Sequence, residues 1–206
     1  DDTVRLLVAN GANVNAADKF QQQTALMWAA SEGHAKVVQT LLEVGANPNM
    51  RAHVTTLTER KSADHPSGGF TALMFAARNG YEDVIRELVK AGANMKLTNG
   101  DEANGMNGAT PLIIAIVNDR FDLAKKMVEM GADPNDGALY HAVDMHDATT
   151  DMRARDGSRL RPNNRNTMTA MDLIKFLVEK GADPNKAFVG QLLGMLVKGD
   201  ARVRIR

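Results

Sequence analysis

Thr24-Ala25-Leu26-Met27-Trp28-Ala29-Ala30, closed by Gly45-Ala46-Asn47, is the stretch that decides the fold, because the chain says it again. Thr71-Ala72-Leu73-Met74-Phe75-Ala76-Ala77 leads to Gly92-Ala93-Asn94, and Thr110-Pro111-Leu112-Ile113-Ile114-Ala115-Ile116 leads to Gly131-Ala132-Asp133. The Gly follows its Thr by 21 residues each time (24 to 45, 71 to 92, 110 to 131). Gly11-Ala12-Asn13 and Gly181-Ala182-Asp183 repeat the closing phrase alone. Fixed spacing marks a repeat array rather than one compact core.

Each unit reads as two helices. Counting back from the Gly residues gives the stripes Val37/Val38/Leu41/Leu42, Val84/Ile85/Leu88/Val89, Leu123/Ala124/Met127/Val128 and Leu173/Ile174/Leu177/Val178, with Thr3/Val4/Leu7/Val8 before Gly11. Apolar residues at this spacing line one side of an α-helix. The Gly then takes the left-handed position that ends a helix. Asn or Asp two residues later favours a turn. Upstream, Thr24, Thr71 and Thr110 are placed to cap a shorter first helix, and Pro111 fits its first turn.

Composition narrows the function. Lys plus Arg equals Asp plus Glu at 25 each, so no net field attracts nucleic acid or an acidic membrane surface. The apolar runs are too short for membrane insertion. Cysteine is absent, which removes disulfides and thiol chemistry and leaves the compartment open.

Thr-x-Leu-x-x-Ala-Ala, then Gly33-His34 or Gly80-Tyr81, a Val/Ile/Leu-rich second helix and Gly-Ala-Asp/Asn-x-Asn together resemble the ankyrin repeat. Asn15, Asn49, Asn135 and Asn185 fill its closing Asn. The resemblance implies an all-α helix-turn-helix solenoid with short β-hairpin fingers. Departures exist: Met27, Met74, Ile113 and Tyr140 replace the family's His, which forfeits its hydrogen bond. Asp119 replaces the turn Gly and Lys96 the closing Asn. The Gly-Ala-Asp-Pro-Asn phrasing and long inserts resemble bacterial members more than eukaryotic ones.

The array divides into a half repeat at 1–22, a repeat with an extended finger at 23–69, repeats at 70–108 and 109–136, a repeat at 137–186 and a partial one at 187–206. The polar stretch Arg51–Gly69 lengthens one finger. Residues 144–169 form an insert between the two helices of the 137–186 repeat. Broken units at both ends lead us to expect a segment of a longer protein, the competing reading being that short apolar helices finish the array.

Candidate chemistry is sparse. His141, Asp144, His146 and Asp147 lie close in sequence, but the step from His141 to His146 scatters ligands around a helix, so no metal site is expected. Arg153, Arg155, Arg159, Arg161 and Arg165 crowd the insert, a composition suited to an anionic partner or simply to a solvated loop. No phosphate loop, nucleophile elbow or metalloprotease helix occurs, so we expect no enzyme, no cofactor and no small-molecule substrate. A non-enzymatic scaffold for protein partners is the expected function, with a structural or tethering segment of a larger assembly as the alternative. The resemblance implies a concave binding face of first helices and fingers: Lys19, Phe20, Gln22, Trp28, Ser31, Glu32, Phe75, Arg78, Asn79, Ile114, Asn118 and His141. Trp28 and Phe75 are its expected anchors, unless neighbouring first helices bury them.

Overall fold

The computed structural model describes residues 2–55, 67–100, 108–147 and 166–186. The chain divides into two compact units, Asp1–Pro111 and Leu112–Arg206.

The first unit holds α1 (Asp2–Ala9), then the pairs α2 (Ala25–Ser31) with α3 (Ala35–Glu43) and α4 (Ala72–Asn79) with α5 (Glu82–Lys90). Thr24 and Thr71 cap α2 and α4, each hydroxyl accepting the N–H of the residue three on at 3.3 Å. The His replaced by Met74 is partly compensated, because the Met74 sulfur accepts the Thr71 N–H at 3.4 Å. First helices pack side by side, α2 on α4, as do the second helices, with α3 between α1 and α5. Val38, Leu41, Val84, Ile85 and Leu88 are buried, so the stripes form the core. Gly33 turns α2 into α3 at φ 74°, and a Cβ there would sit 2.8 Å from the Tyr81 ring, so the neighbouring repeat packs against bare backbone.

Within the stretch Arg51–Gly69, β1 (Val54–Thr55) and β2 (Ser67–Gly68) pair antiparallel, with Val54 opposite Gly68, and residues 56–66 lie outside the described residues. Arg51 braces the strand pair, donating from Nε to the Gly69 carbonyl and from Nη2 to the Gly100 carbonyl of the next finger.

From the end of the first unit onward come α6 (Pro111–Val117), α7 (Phe121–Glu129), α8 (Ala138–Asp147) and α9 (Ala170–Glu179), with α9 packed on both α8 and α7. Asp119 takes the left-handed turn at φ 57°, where other repeats use Gly. The α8 helix continues to Asp147, further than the sequence-derived insert start of 144. Asn166 and Asp122 fasten the insert's return. The Asn166 amide donates to the Asp119 carbonyl at 3.0 Å and accepts the Phe121 N–H, while the Asp122 carboxylate accepts from Thr167 and Met168.

A repeated clasp links successive turns within each unit. The Asn15 amide donates to the Gly45 carbonyl at 3.2 Å and accepts the Asn47 N–H at 2.7 Å. Asn49 holds Gly92 and Asn94 in the same way, and Asn135 holds Gly181 and Asp183. This is the physical content of the closing Asn.

Candidate functional site

The first finger is a closed polar loop on the first-helix side. Ala17 and Thr24 form an antiparallel bridge, and the Asp18 N–H donates to the Gln23 carbonyl at 3.0 Å. One Asp18 oxygen accepts the Phe20 and Gln21 N–H groups at 2.8 and 2.7 Å, and the other accepts the Gln23 N–H at 2.7 Å. The Gln21 and Gln23 N–H groups, outweighing a small desolvation effect, hold the Asp18 carboxyl below its ordinary value. Gln22 completes the turn at φ 52°, where the next finger places Gly69 at φ 67°. A side chain in that region is strained by about 1–2 kcal/mol. The result is a preset loop with Phe20 at its tip, 87% exposed.

Trp28 lies one turn into α2 and is 58% exposed, although Leu26, Met27, Ala29 and Ala30 around it are buried. Phe75 occupies the matching position on α4 but is only 8% exposed, which corrects its assignment to an open face. The Phe70 ring packs on it at 5.2 Å, and the Arg78 guanidinium lies over both rings at 5.4 and 5.3 Å. At Trp28 the corresponding positions are Gln23 and Ser31, too small or too polar to cover an indole. Ile114, 3% exposed, is likewise a core residue, since the run Leu112–Ile116 is buried throughout. A helix apolar on every side is a buried helix.

The other predicted residues fall in both units. In the first, Lys19, Gln22, Glu32 and Arg78 are exposed, and half-buried Asn79 ties α4 to α2 by donating to the Ser31 carbonyl at 2.8 Å. In the second, half-buried Asn118 donates to the Ile114 carbonyl, and half-buried His141 meets Tyr140 edge-on at 5.4 Å. Burial, opposed by the Asp144 carboxylate, lowers the His141 pKa below its ordinary value. Arg153, Arg155, Arg159, Arg161 and Arg165 lie outside the described residues. Among the described residues no group of three or more His, Asp or Glu could hold a metal ion, and no helix is long and apolar enough to cross a membrane.

Sequence reasoning missed Asp18, Phe70 and Arg51. Asp18 carried a signal, an Asp opening a turn before a helix-capping Thr. Phe70 and Arg51 carried none, since their roles depend on what lies across the fold.

Paired helices in register, capped by Thr, turned by left-handed Gly and clasped by Asn, define an all-α repeat solenoid. Comparison with known families agrees: the family described as ankyrin repeats (3 copies) matches residues 1–52 and 52–138, and the chain belongs to it. Among curated proteins, palmitoyltransferase ZDHHC17 of Homo sapiens is 46% identical over 46 residues, 22% of this chain and 7% of that protein. The rat protein of the same name is 44% identical over 46 residues with the same shares. This chain thus spans 7% of those relatives' length. Both are mammalian, and the bacterial likeness finds no support in them. Ankyrin repeats are generally non-enzymatic modules for protein–protein interaction.

Proposed function

We propose that the chain is a scaffold that binds a partner protein through its first helices and fingers, and that it performs no chemistry itself. The observation that carries this reading is Trp28, an indole left 58% exposed on a helix whose neighbouring residues are buried. Rigid aromatic side chains with one open face dominate interface energetics. Phe20 on its clamped finger, with Arg78 and Glu32, supplies the surroundings in the first unit; Asn118 and His141 belong to the second. No phosphate or nucleic-acid partner is proposed. Pull-down with the full chain against a Trp28→Ala, Phe20→Ala double variant tests the proposal. A protein retained by the parent and lost by the variant, with melting unchanged, is the expected result; identical retention by both contradicts it.

A second reading, a segment packed permanently within a larger assembly, is favoured by one observation. Leu6 and Leu7 on α1 are 64% and 56% exposed, and α1 has no buried residue. Such an apolar face suits lasting coverage better than transient contact.

A further inference from the structure

The finger from Asp18 to Gln23 combines an exposed apolar tip with a restrained backbone. Its tip places a large apolar ring in solvent, 87% exposed, with no described residue covering it. Its backbone is nonetheless heavily restrained, with three N–H groups converging on Asp18 and one cross-loop backbone bond. It also tolerates Gln22 at φ 52°, in the region where the neighbouring finger uses glycine. A loop with no task could relax by placing Gly at 22 and a polar residue at 20. Strain retained alongside an exposed anchor is a sign of preorganisation, because a group fixed in its bound geometry loses little entropy on association.

Charge at the tip narrows the partner. The Asp18 carboxylate is engaged by its own backbone, so its lone pairs are turned inward. Lys19, beside Phe20, is exposed and takes part in no ion pair among the described residues, and Gln21 and Gln22 are neutral. The tip therefore presents one ring, one cation and uncharged amides, and the side chain of Trp28 stands one turn into the helix that the loop feeds.

We propose that this finger is the specificity element of the partner-binding face: it delivers Phe20 as a fixed anchor to a protein segment that carries an apolar side chain beside a carboxylate, and Lys19 receives that carboxylate. The proposal rests on the scaffold reading above and adds the partner's chemistry. Asp18 is a positioning residue, acting on the partner only through the loop it holds.

Selection of a phage library of random linear peptides on the full chain tests it. The recovered sequences are expected to pair Leu, Ile, Phe or Trp with an adjacent Asp or Glu, and their synthetic versions to lose about tenfold or more in affinity to Phe20→Ala. Selection on Lys19→Glu should exchange the acidic residue for Lys or Arg. Asp18→Ala keeps Phe20 and Lys19, yet should weaken the same peptides and speed amide exchange at Phe20, Gln21 and Gln23 with helical circular dichroism unchanged. Peptides indifferent to Phe20→Ala, or an acidic preference that survives Lys19→Glu, overturn the proposal. If such peptides still require Trp28, the finger alone is wrong and the scaffold face stands. If no recovered peptide depends on any finger or first-helix residue, both readings fail.

Discussion

At the scale of single residues, two positions show how backbone and charge decide local structure. Gly33 combines φ 74° with a Tyr81 ring where its Cβ would be. Gly33→Ala should destabilise the protein by about 1–3 kcal/mol, from left-handed strain and overpacking together. Urea unfolding measures this, and Tyr81→Ala in the Gly33→Ala background should recover only the packing share. A loss no smaller in that background would mean the ring is not the obstacle. Asp122 shows the pH dependence. Burial pushes its carboxyl up, but the Thr167 N–H and hydroxyl and the Met168 N–H outweigh this and hold it below its ordinary value. A depressed carboxyl stabilises the fold fully above its unfolded value, and that contribution disappears as pH falls through the folded value. Amide protection of Thr167 and Met168 should therefore persist at pH 5 and fade well below pH 4. Asp122→Asn should remove the acid dependence there; if the dependence survives, another group carries it.

At the scale of elements, second helices carry the core and Asn clasps carry the register. Leu41→Ala and Leu88→Ala empty buried sites and should each cost about 2–5 kcal/mol by denaturant unfolding. Asn49→Ala removes both bonds of one clasp, leaves the exposed Gly92 carbonyl and Asn94 N–H to water, and should cost about 0.5–1.5 kcal/mol per bond. Neutral outcomes at Leu41 and Leu88 would contradict the repeat register. The insert gives a sharper test. Excising 151–165 should leave α7 and α9 folded, whereas extending the cut to Asn166 removes the bond to the Phe121 N–H and should lower the melting temperature. These elements were legible in sequence where the signal is local. Left-handed Gly residues, capping Thr residues and stripes spaced three and four apart each leave a mark within a few residues. The candidate site was less legible, because exposure is not a local property. Trp28 and Phe75 share a slot, yet Phe70 and Arg78 cover one while Gln23 and Ser31 cannot cover the other. Ile114 sank with a helix apolar on every side. The end of α8 left no local mark, because the helix continues through polar Asp144 and His146, which are exposed and carry no stripe.

At the scale of the whole molecule, function is set by which surfaces stay open. The exposed Leu6 and Leu7 predict that the chain self-associates at high concentration, and that Leu6→Glu with Leu7→Lys restores a monomer by light scattering. An unaltered parent that is already monomeric would show that this face is harmless. Against it stand the first-helix face and a shallow open groove between α3 and α5, lined by Lys36, Gln39, Tyr81 and Arg86. The first-helix face, and not the others, should meet the partner. Photo-cross-linking from a benzophenone side chain placed in turn at positions 28, 39 and 6 of the full chain, in its source cells, decides it. One partner protein should be cross-linked from position 28 and absent from 39 and 6. A partner captured from 39 or 6, with position 28 silent, would contradict it.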